Sequence, residues 1–272
     1  MRDLSNLYPV WFCDIWGVVH DGHAPFAPTV DSLQRHRRAG GCVILVSNSP
    51  RSTIGVSKQL DELGVPRDAY DTAVTSGDVT RDLMQQTDGK LFHLGPARDL
   101  SIFDGLHVTR VELPDASAVI CTGLFHDDRE TPKDYVALLS DMHARGLTMI
   151  CANPDKVVRK AGRLLYCAGA LADVYAAMGG EVRMAGKPYA PIYDLARRRA
   201  ATIRDHDVPL SSILAIGDGP ETDIKGAAEQ GIAAVFMTGL HEDHDDLEKA
   251  DAAIRAHVPK ANIIRTVASL DW

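Results

Sequence analysis

Three short apolar runs in this sequence break off in residues that could do chemistry. Val10–Cys13 ends in Asp14-Ile15-Trp16-Gly17, Cys42–Val46 ends in Ser47-Asn48-Ser49, and Ile213–Ile216 ends in Gly217-Asp218-Gly219, with Asp223 close behind. Carboxylates gathered in one place repel unless a proton or a cation holds them together. Hard oxygen ligands of this kind suit Mg²⁺. Lys187, in Ala185-Gly186-Lys187-Pro188, adds an ammonium. Beside Asp14 and a metal-bound phosphate it would neutralise both the carboxylate and the transferring group, where phosphoryl transfer needs electrostatic help. Ser47 and the amides after it could donate hydrogen bonds to the same phosphate. Taken singly, each residue has an ordinary explanation: a turn-forming or helix-capping aspartate, a solvated lysine, a turn serine.

These residues can meet only if the chain brings several strand ends to one edge. The pattern predicts that it does. Continuous apolar runs at 10–13, 42–46, 118–121, 147–151, 213–216 and 232–236 alternate with longer amphipathic stretches. Such alternation marks parallel strands covered on both faces by crossover helices, an α/β architecture. Thr131, Pro132 and Asp134 open one helix, with Tyr135, Leu138, Leu139 and Met142 on one face and Gly146 as its stop. Ile192, Leu195, Ala196, Arg199, Ala200 and Ile203 give a second stripe. In open parallel sheets, ligands gather beyond the carboxyl ends of the strands, where the polar residues above fall.

Composition narrows the function classes. With 272 residues and 45% apolar content the chain can bury a large core without staples, and its length suits one or two domains. A net charge of −8 argues against a general nucleic-acid binder, and Arg197-Arg198-Arg199 does not change this because Arg199 sits on an apolar stripe. Five scattered cysteines favour a reducing cytoplasm. The start of the sequence lacks the features of an export signal, and no apolar run approaches the roughly 18 residues of a membrane span. A cytoplasmic protein with no membrane partner is the expectation.

The order Asp14, Ser47-Asn48, Gly186-Lys187-Pro188 and Gly217-Asp218 with Asp223 resembles the four motifs of the haloacid dehalogenase superfamily. Within it the chain looks like class IIA, the branch of sugar and nucleotide phosphatases. Thr75-Ser76-Gly77, Asn153-Pro154-Asp155 and Gly169-Ala170-Leu171 support that branch. The resemblance implies a doubly wound parallel-sheet, Rossmann-like core over 1–79 and 185–272, with an inserted α/β cap over 80–184. It implies a hydrolase of a small phosphorylated metabolite. Asp14 would attack phosphorus to form an aspartyl-phosphate that water then hydrolyses. Mg²⁺ would be held by the Asp14 carboxylate, the backbone carbonyl of Trp16 and Asp218, with Asp223 supporting the site. Ser47 and Asn48 would bind the phosphoryl oxygens, Lys187 would orient Asp14, and Asn153 and Asp155 would contact substrate. A homodimer formed through the cap is implied by the resemblance alone.

One position departs from the family pattern. Its phosphatases carry a second aspartate two residues after the nucleophile, and here that residue is Trp16. An indole transfers no proton at neutral pH, and losing a positioned acid or base costs on the order of 10² to 10⁴ in rate. Three readings follow. Turnover persists on good leaving groups, or with His20 or Asp21 as a substitute acid; the chemistry is another carboxylate-nucleophile reaction; or the site binds a phospho-ligand without turnover. Trp16 would itself line the pocket or pack beneath the cap. Two further stretches are ambiguous. Residues 241–246 read as a weak metal motif or an acidic turn, and Asp127-Asp128-Arg129 as a channel wall or a surface turn.

Overall fold

The computed structural model of the chain describes residues 1–160, 163–238 and 246–272. In chain order its strands are β1 (Val10–Cys13), β2 (Cys42–Ser47), β3 (Thr72–Thr75), β4 (Lys90–Leu94), β5 (Thr109–Arg110), β6 (Ala118–Cys121), β7 (Thr148–Cys151), β8 (Val157–Lys160), β9 (Arg163–Tyr166), β10 (Val182–Met184), β11 (Ile213–Gly217), β12 (Ala233–Met237) and β13 (Ile263–Val267). The helices are α1 (Arg2–Leu7), α2 (Ala27–Arg38), α3 (Thr53–Glu62), α4 (Ser76–Met84), α5 (Val136–Ala144), α6 (Ala168–Ala177), α7 (Ala190–Arg204), α8 (Lys225–Gln230) and α9 (Leu247–His257). The chain divides into two compact units, Met1–Ser47 with Thr53–Val74 and Lys187–Trp272, and Asn48–Ser52 with Thr75–Gly186.

The first unit is built on a sheet of order β13-β12-β11-β1-β2-β3, whose β13-β12, β12-β11, β11-β1 and β1-β2 ladders are parallel. Every residue of β1 and of β11 is buried, as their unbroken apolar sequences require of strands covered on both faces. Trp11, Leu33, Val43, Leu45, Leu60, Leu214 and Val235 belong to one core cluster. The apolar stripe after Lys187 forms α7, which buries Ile192, Tyr193, Ala196 and Ala200. Because neighbouring strands run the same way, the residues after β1, β2 and β11 emerge at one edge.

The second unit carries a parallel sheet of order β10-β7-β6-β4-β5. Its strands sort their side chains by alternation: Val119, Cys121, Met149 and Cys151 face one core cluster, and Ala118, Ile120 and Ile150 face another. The antiparallel pair β8-β9 stands apart from that sheet. Thr131 and Asp134 form a capping box at the helix start expected there, although the first turn, Pro132–Tyr135, is a 3₁₀ turn before α5 begins. Gly146 ends that stretch with a φ of +67°.

The chain changes unit at Ser47/Asn48, Ser52/Thr53, Val74/Thr75 and Gly186/Lys187. The reason is local. Thr75 caps α4, accepting the Asp78 N–H at 3.0 Å, and the Gly77 N–H donates to the Ser49 carbonyl at 3.1 Å. A Cβ on Gly77 would lie 2.2 Å from the Pro50 carbonyl oxygen, so glycine lets the start of α4 close onto residues 48–52. That segment therefore belongs with α4. Among the described residues no helix is long and apolar enough to cross a membrane.

Candidate active site

Asp14 continues the β1–β11 ladder by one residue, its N–H donating to the Ile216 carbonyl at 2.8 Å. That bond carries its carboxylate to the edge beside β11, where it is 8% exposed. Lys187 stands at the same edge, ahead of α7, and is 3% exposed. Its ammonium donates to Asp14 Oδ1 at 2.5 Å, Asp223 Oδ1 at 2.7 Å and the Val46 carbonyl at 2.9 Å. Three acceptors for three N–H bonds satisfy a buried lysine as the cation.

Asp223 lies in the helical turn Pro220–Ile224 after β11. Its Oδ2 accepts the Gly219 N–H at 3.1 Å and the Thr222 hydroxyl at 3.3 Å. Gly217 makes room for it, since a Cβ there would lie 2.2 Å from Asp223 Cγ. Asp218 is partly buried and packs against Gly17, whose φ is +84° and whose hypothetical Cβ would sit 2.1 Å from Asp218 Oδ2. Glycine is required at 17 on both counts. One carboxylate oxygen each from Asp14, Asp218 and Asp223 can be chosen so that all lie within 4.8 Å of one another.

The electrostatics follow from this crowding. Burial pushes the Asp14 carboxyl well above the ordinary carboxylate range, and Asp223 and Asp218 push the same way against the pull of Lys187. Burial would pull Lys187 down, but Asp14 and Asp223 outweigh it and hold the ammonium well above the usual lysine range. One ammonium bridges two of these carboxylates, Asp14 and Asp223, with the third, Asp218, beside them. An all-oxygen set of crowded carboxylates fits a hard divalent cation such as Mg²⁺. Ser47, the last residue of β2, is partly buried at this sheet edge.

The loop after Asp14 is organised around its own residues. Trp16 is 36% exposed, meets the His20 ring edge-on at 5.5 Å and lies over Gly22, whose Cβ would be 2.5 Å from the indole. His20 is 2% exposed and its Nδ1 accepts the Gly22 N–H at 2.9 Å. Burial lowers its pKa, in keeping with Nδ1 acting as an acceptor. The Asp21 carboxylate accepts the N–H groups of His23 and Ala24 at 2.8 and 2.9 Å, and those bonds hold its pKa below the ordinary range. Both groups thus serve the turn.

Asn48, Asn153 and Asp155 come together within the second unit. Asn48 Nδ2 donates to Asp155 Oδ1 at 2.8 Å, and Asn153 Oδ1 accepts the Asp155 N–H at 3.1 Å, closing an Asx-type turn after β7. Asp127 pairs with Arg98, as a surface salt bridge would. Residues 241–245 of the acidic His-containing stretch lie outside the described residues, and Asp246 accepts the Lys249 N–H as the cap of α9. Arg199 donates to the Thr53 hydroxyl at 2.7 Å and to the Ala73 carbonyl, tying α7 to α3 and β3. Sequence reasoning missed the Val46 carbonyl as an anchor for Lys187, because a main-chain acceptor leaves no signature. The fit of Gly17 against Asp218 could have been suspected from a glycine three residues after a strand-ending aspartate.

Two family models match the chain, one described as haloacid dehalogenase-like hydrolase over residues 11–109 and one as HAD-hydrolase-like over 184–267. Among solved structures, a haloacid dehalogenase-like family hydrolase from Brucella suis 1330 is 46% identical, with a TM-score of 0.88 over 99% of this chain and 98% of that one. A 4-nitrophenylphosphatase from Thermotoga maritima is 20% identical, with a TM-score of 0.75 over 98% and 96%. A glycerol phosphate phosphatase from Mycobacterium tuberculosis in complex with calcium is 21% identical, with a TM-score of 0.72 over 98% and 73%. No curated protein matches the sequence.

Proposed function

The chain belongs to the haloacid dehalogenase-like hydrolases, and on that premise we propose that it is a Mg²⁺-dependent phosphatase of small phosphorylated metabolites, working through an aspartyl-phosphate. The observation that carries this reading is the buried bridge from Lys187 to both Asp14 and Asp223. It holds one carboxylate oxygen of Asp14 at a fixed place beside two further carboxylates.

In this reading Asp14 attacks phosphorus as the nucleophile, and the bond to the leaving oxygen breaks. Lys187 draws Asp14 toward its ionised form against the burial that opposes it, aims it, and offsets charge on the phosphoryl group. Ser47 binds a phosphoryl oxygen through its hydroxyl, with Asn48 next to it in the chain. The Asp14 carboxylate, the Trp16 carbonyl and Asp218 are the ligands assigned to Mg²⁺, and Asp223 supports them. When bound, the ion supplies positive charge to the phosphate oxygens and relieves repulsion among the carboxylates. Asn153 and Asp155 are assigned to the substrate, supported by the hydrogen bond that Asp155 accepts from Asn48. A cytoplasmic location belongs to the same reading, supported by five buried free thiols.

A screen of sugar, nucleotide and cofactor phosphates with 4-nitrophenyl phosphate, with Mg²⁺ and with a chelator, tests the reading. Mg²⁺-dependent release of inorganic phosphate is the expected result. Tight binding of phosphate esters with no release from any of them would overturn it in favour of a phospho-ligand binder.

A further inference from the structure

The phosphatase reading leaves the substrate class open, and the proton donors around Asp14 narrow it. An ester oxygen leaves readily if an acid protonates it in the transition state or if it is already a stable anion. Among the described residues of the unit that carries Asp14, the reading above assigns Asp218 to the metal and Ser47 to a phosphoryl oxygen, and Lys187, Asp223, His20 and Asp21 each hold other partners. Lys187 directs its N–H bonds at Asp14, Asp223 and Val46. Asp223 receives the Gly219 N–H and the Thr222 hydroxyl on the oxygen that Lys187 does not hold. His20 accepts the Gly22 N–H through Nδ1 and is almost fully buried behind the Trp16 ring edge. Asp21 carries the two N–H groups of its own turn. Trp16 has an N–H that does not ionise at neutral pH.

We infer that this site takes phosphates whose leaving group departs unprotonated: aryl, enol and acyl phosphates and phosphoanhydrides, in preference to alkyl phosphates. This rests on the phosphatase reading above. In the step concerned, an Asp14 oxygen forms a bond to phosphorus as the bond from phosphorus to the leaving oxygen breaks. The electron pair stays on that oxygen, which leaves as an aryloxide, enolate, carboxylate or phosphate anion. No proton moves. Acyl phosphates separate this chemical preference from mere fit to a flat ring, because acetyl phosphate is small and not aromatic.

The test is kcat/KM of the whole chain with Mg²⁺ for 4-nitrophenyl, phenyl, acetyl and glycerol phosphates. The expected result is a fall on the order of 10²-fold or more from 4-nitrophenyl phosphate to glycerol phosphate, with acetyl phosphate among the fast substrates. Trp16→Asp is expected to raise the glycerol phosphate reaction at least about tenfold relative to the 4-nitrophenyl one, as an added acid should. Aryl and alkyl phosphates turned over within about tenfold of each other by the unaltered protein would overturn the inference and leave the phosphatase reading standing. No turnover of any of the four, together with no release from the sugar, nucleotide and cofactor phosphates, would overturn that reading as well. If Trp16→Asp does not fold, the series on the unaltered protein decides alone.

Discussion

Lys187 Nζ lies 2.5 Å from Asp14 Oδ1 although 173 residues separate them in sequence. Both are nearly inaccessible to water, and the same ammonium holds Asp223. The contact joins the end of β1 to the start of α7, so it is at once a part of the proposed chemistry and a part of the core. Removing one partner of a buried pair leaves the other charge unpaired, at a cost of about 3–5 kcal/mol. Lys187→Met should therefore abolish turnover and lower the unfolding free energy of the metal-free protein by that order. Denaturant titration checks the second effect. Adding Asp14→Asn should recover part of the loss, because it removes one of the orphaned carboxylates; a double variant that is no more stable than Lys187→Met would contradict this.

Gly17 and Asp218 supply a second test, aimed at the metal. A methyl group at 17 would demand a left-handed backbone and collide with Asp218 Oδ2. Gly17→Ala should displace that carboxylate and weaken Mg²⁺ binding. A ligand that binds only the folded state raises stability by RT ln(1 + [L]/Kd). The rise in melting temperature with added Mg²⁺ should thus be clear in the unaltered protein and smaller at every concentration in the variant. Equal rises in both would show that Asp218 does not hold the ion.

The third prediction concerns pH and lies away from the site. His36 stacks on Trp11 at 3.8 Å between centroids, contacts Ser5 Oγ through Nδ1 at 2.7 Å, and has no exposed surface. Burial depresses its pKa to about 4, against an ordinary value near 6.5. Between those values the unfolded chain binds a proton that the folded one refuses. The contribution of His36 is therefore complete above about pH 6.5 and is lost as pH falls toward 4, by at most about 3 kcal/mol at 1.36 kcal/mol per pH unit. Unfolding free energies measured from pH 8 to 4.5 should fall with acid, and His36→Gln should show a shallower fall. A slope unchanged by that substitution would remove His36 as its source.

The strands that carry the site were legible because they are the most buried. Val10–Cys13 and Ile213–Gly217 are unbroken apolar runs that end in aspartates, and Cys42–Ser47 is one that ends in serine. Edge and peripheral strands were not: Thr109–Arg110 is only two exposed residues, Arg163–Tyr166 lies mostly at the surface, and Ile263–Val267 has one buried residue. Such strands follow from pairing with a neighbour and not from their own hydrophobicity. In the site, Asp14, Asp218, Asp223 and Lys187 stood out by type and position. The tie from Lys187 to the Val46 carbonyl did not, because any residue offers the same carbonyl. His20 and Asp21 were named only as possible substitute acids, and their hydrogen bonds within residues 20–24 left no signature in the sequence.

Phosphate release from 4-nitrophenyl phosphate in Mg²⁺, compared between the unaltered protein and Asp14→Asn, tests the central assignment most directly. Asp14→Asn removes the nucleophile but keeps its shape and relieves carboxylate crowding, so the variant should stay folded. Its rate should fall by at least about 10³-fold, the loss typical when a covalent nucleophile is removed. A folded Asp14→Asn protein that releases phosphate as fast as the unaltered one would contradict the account.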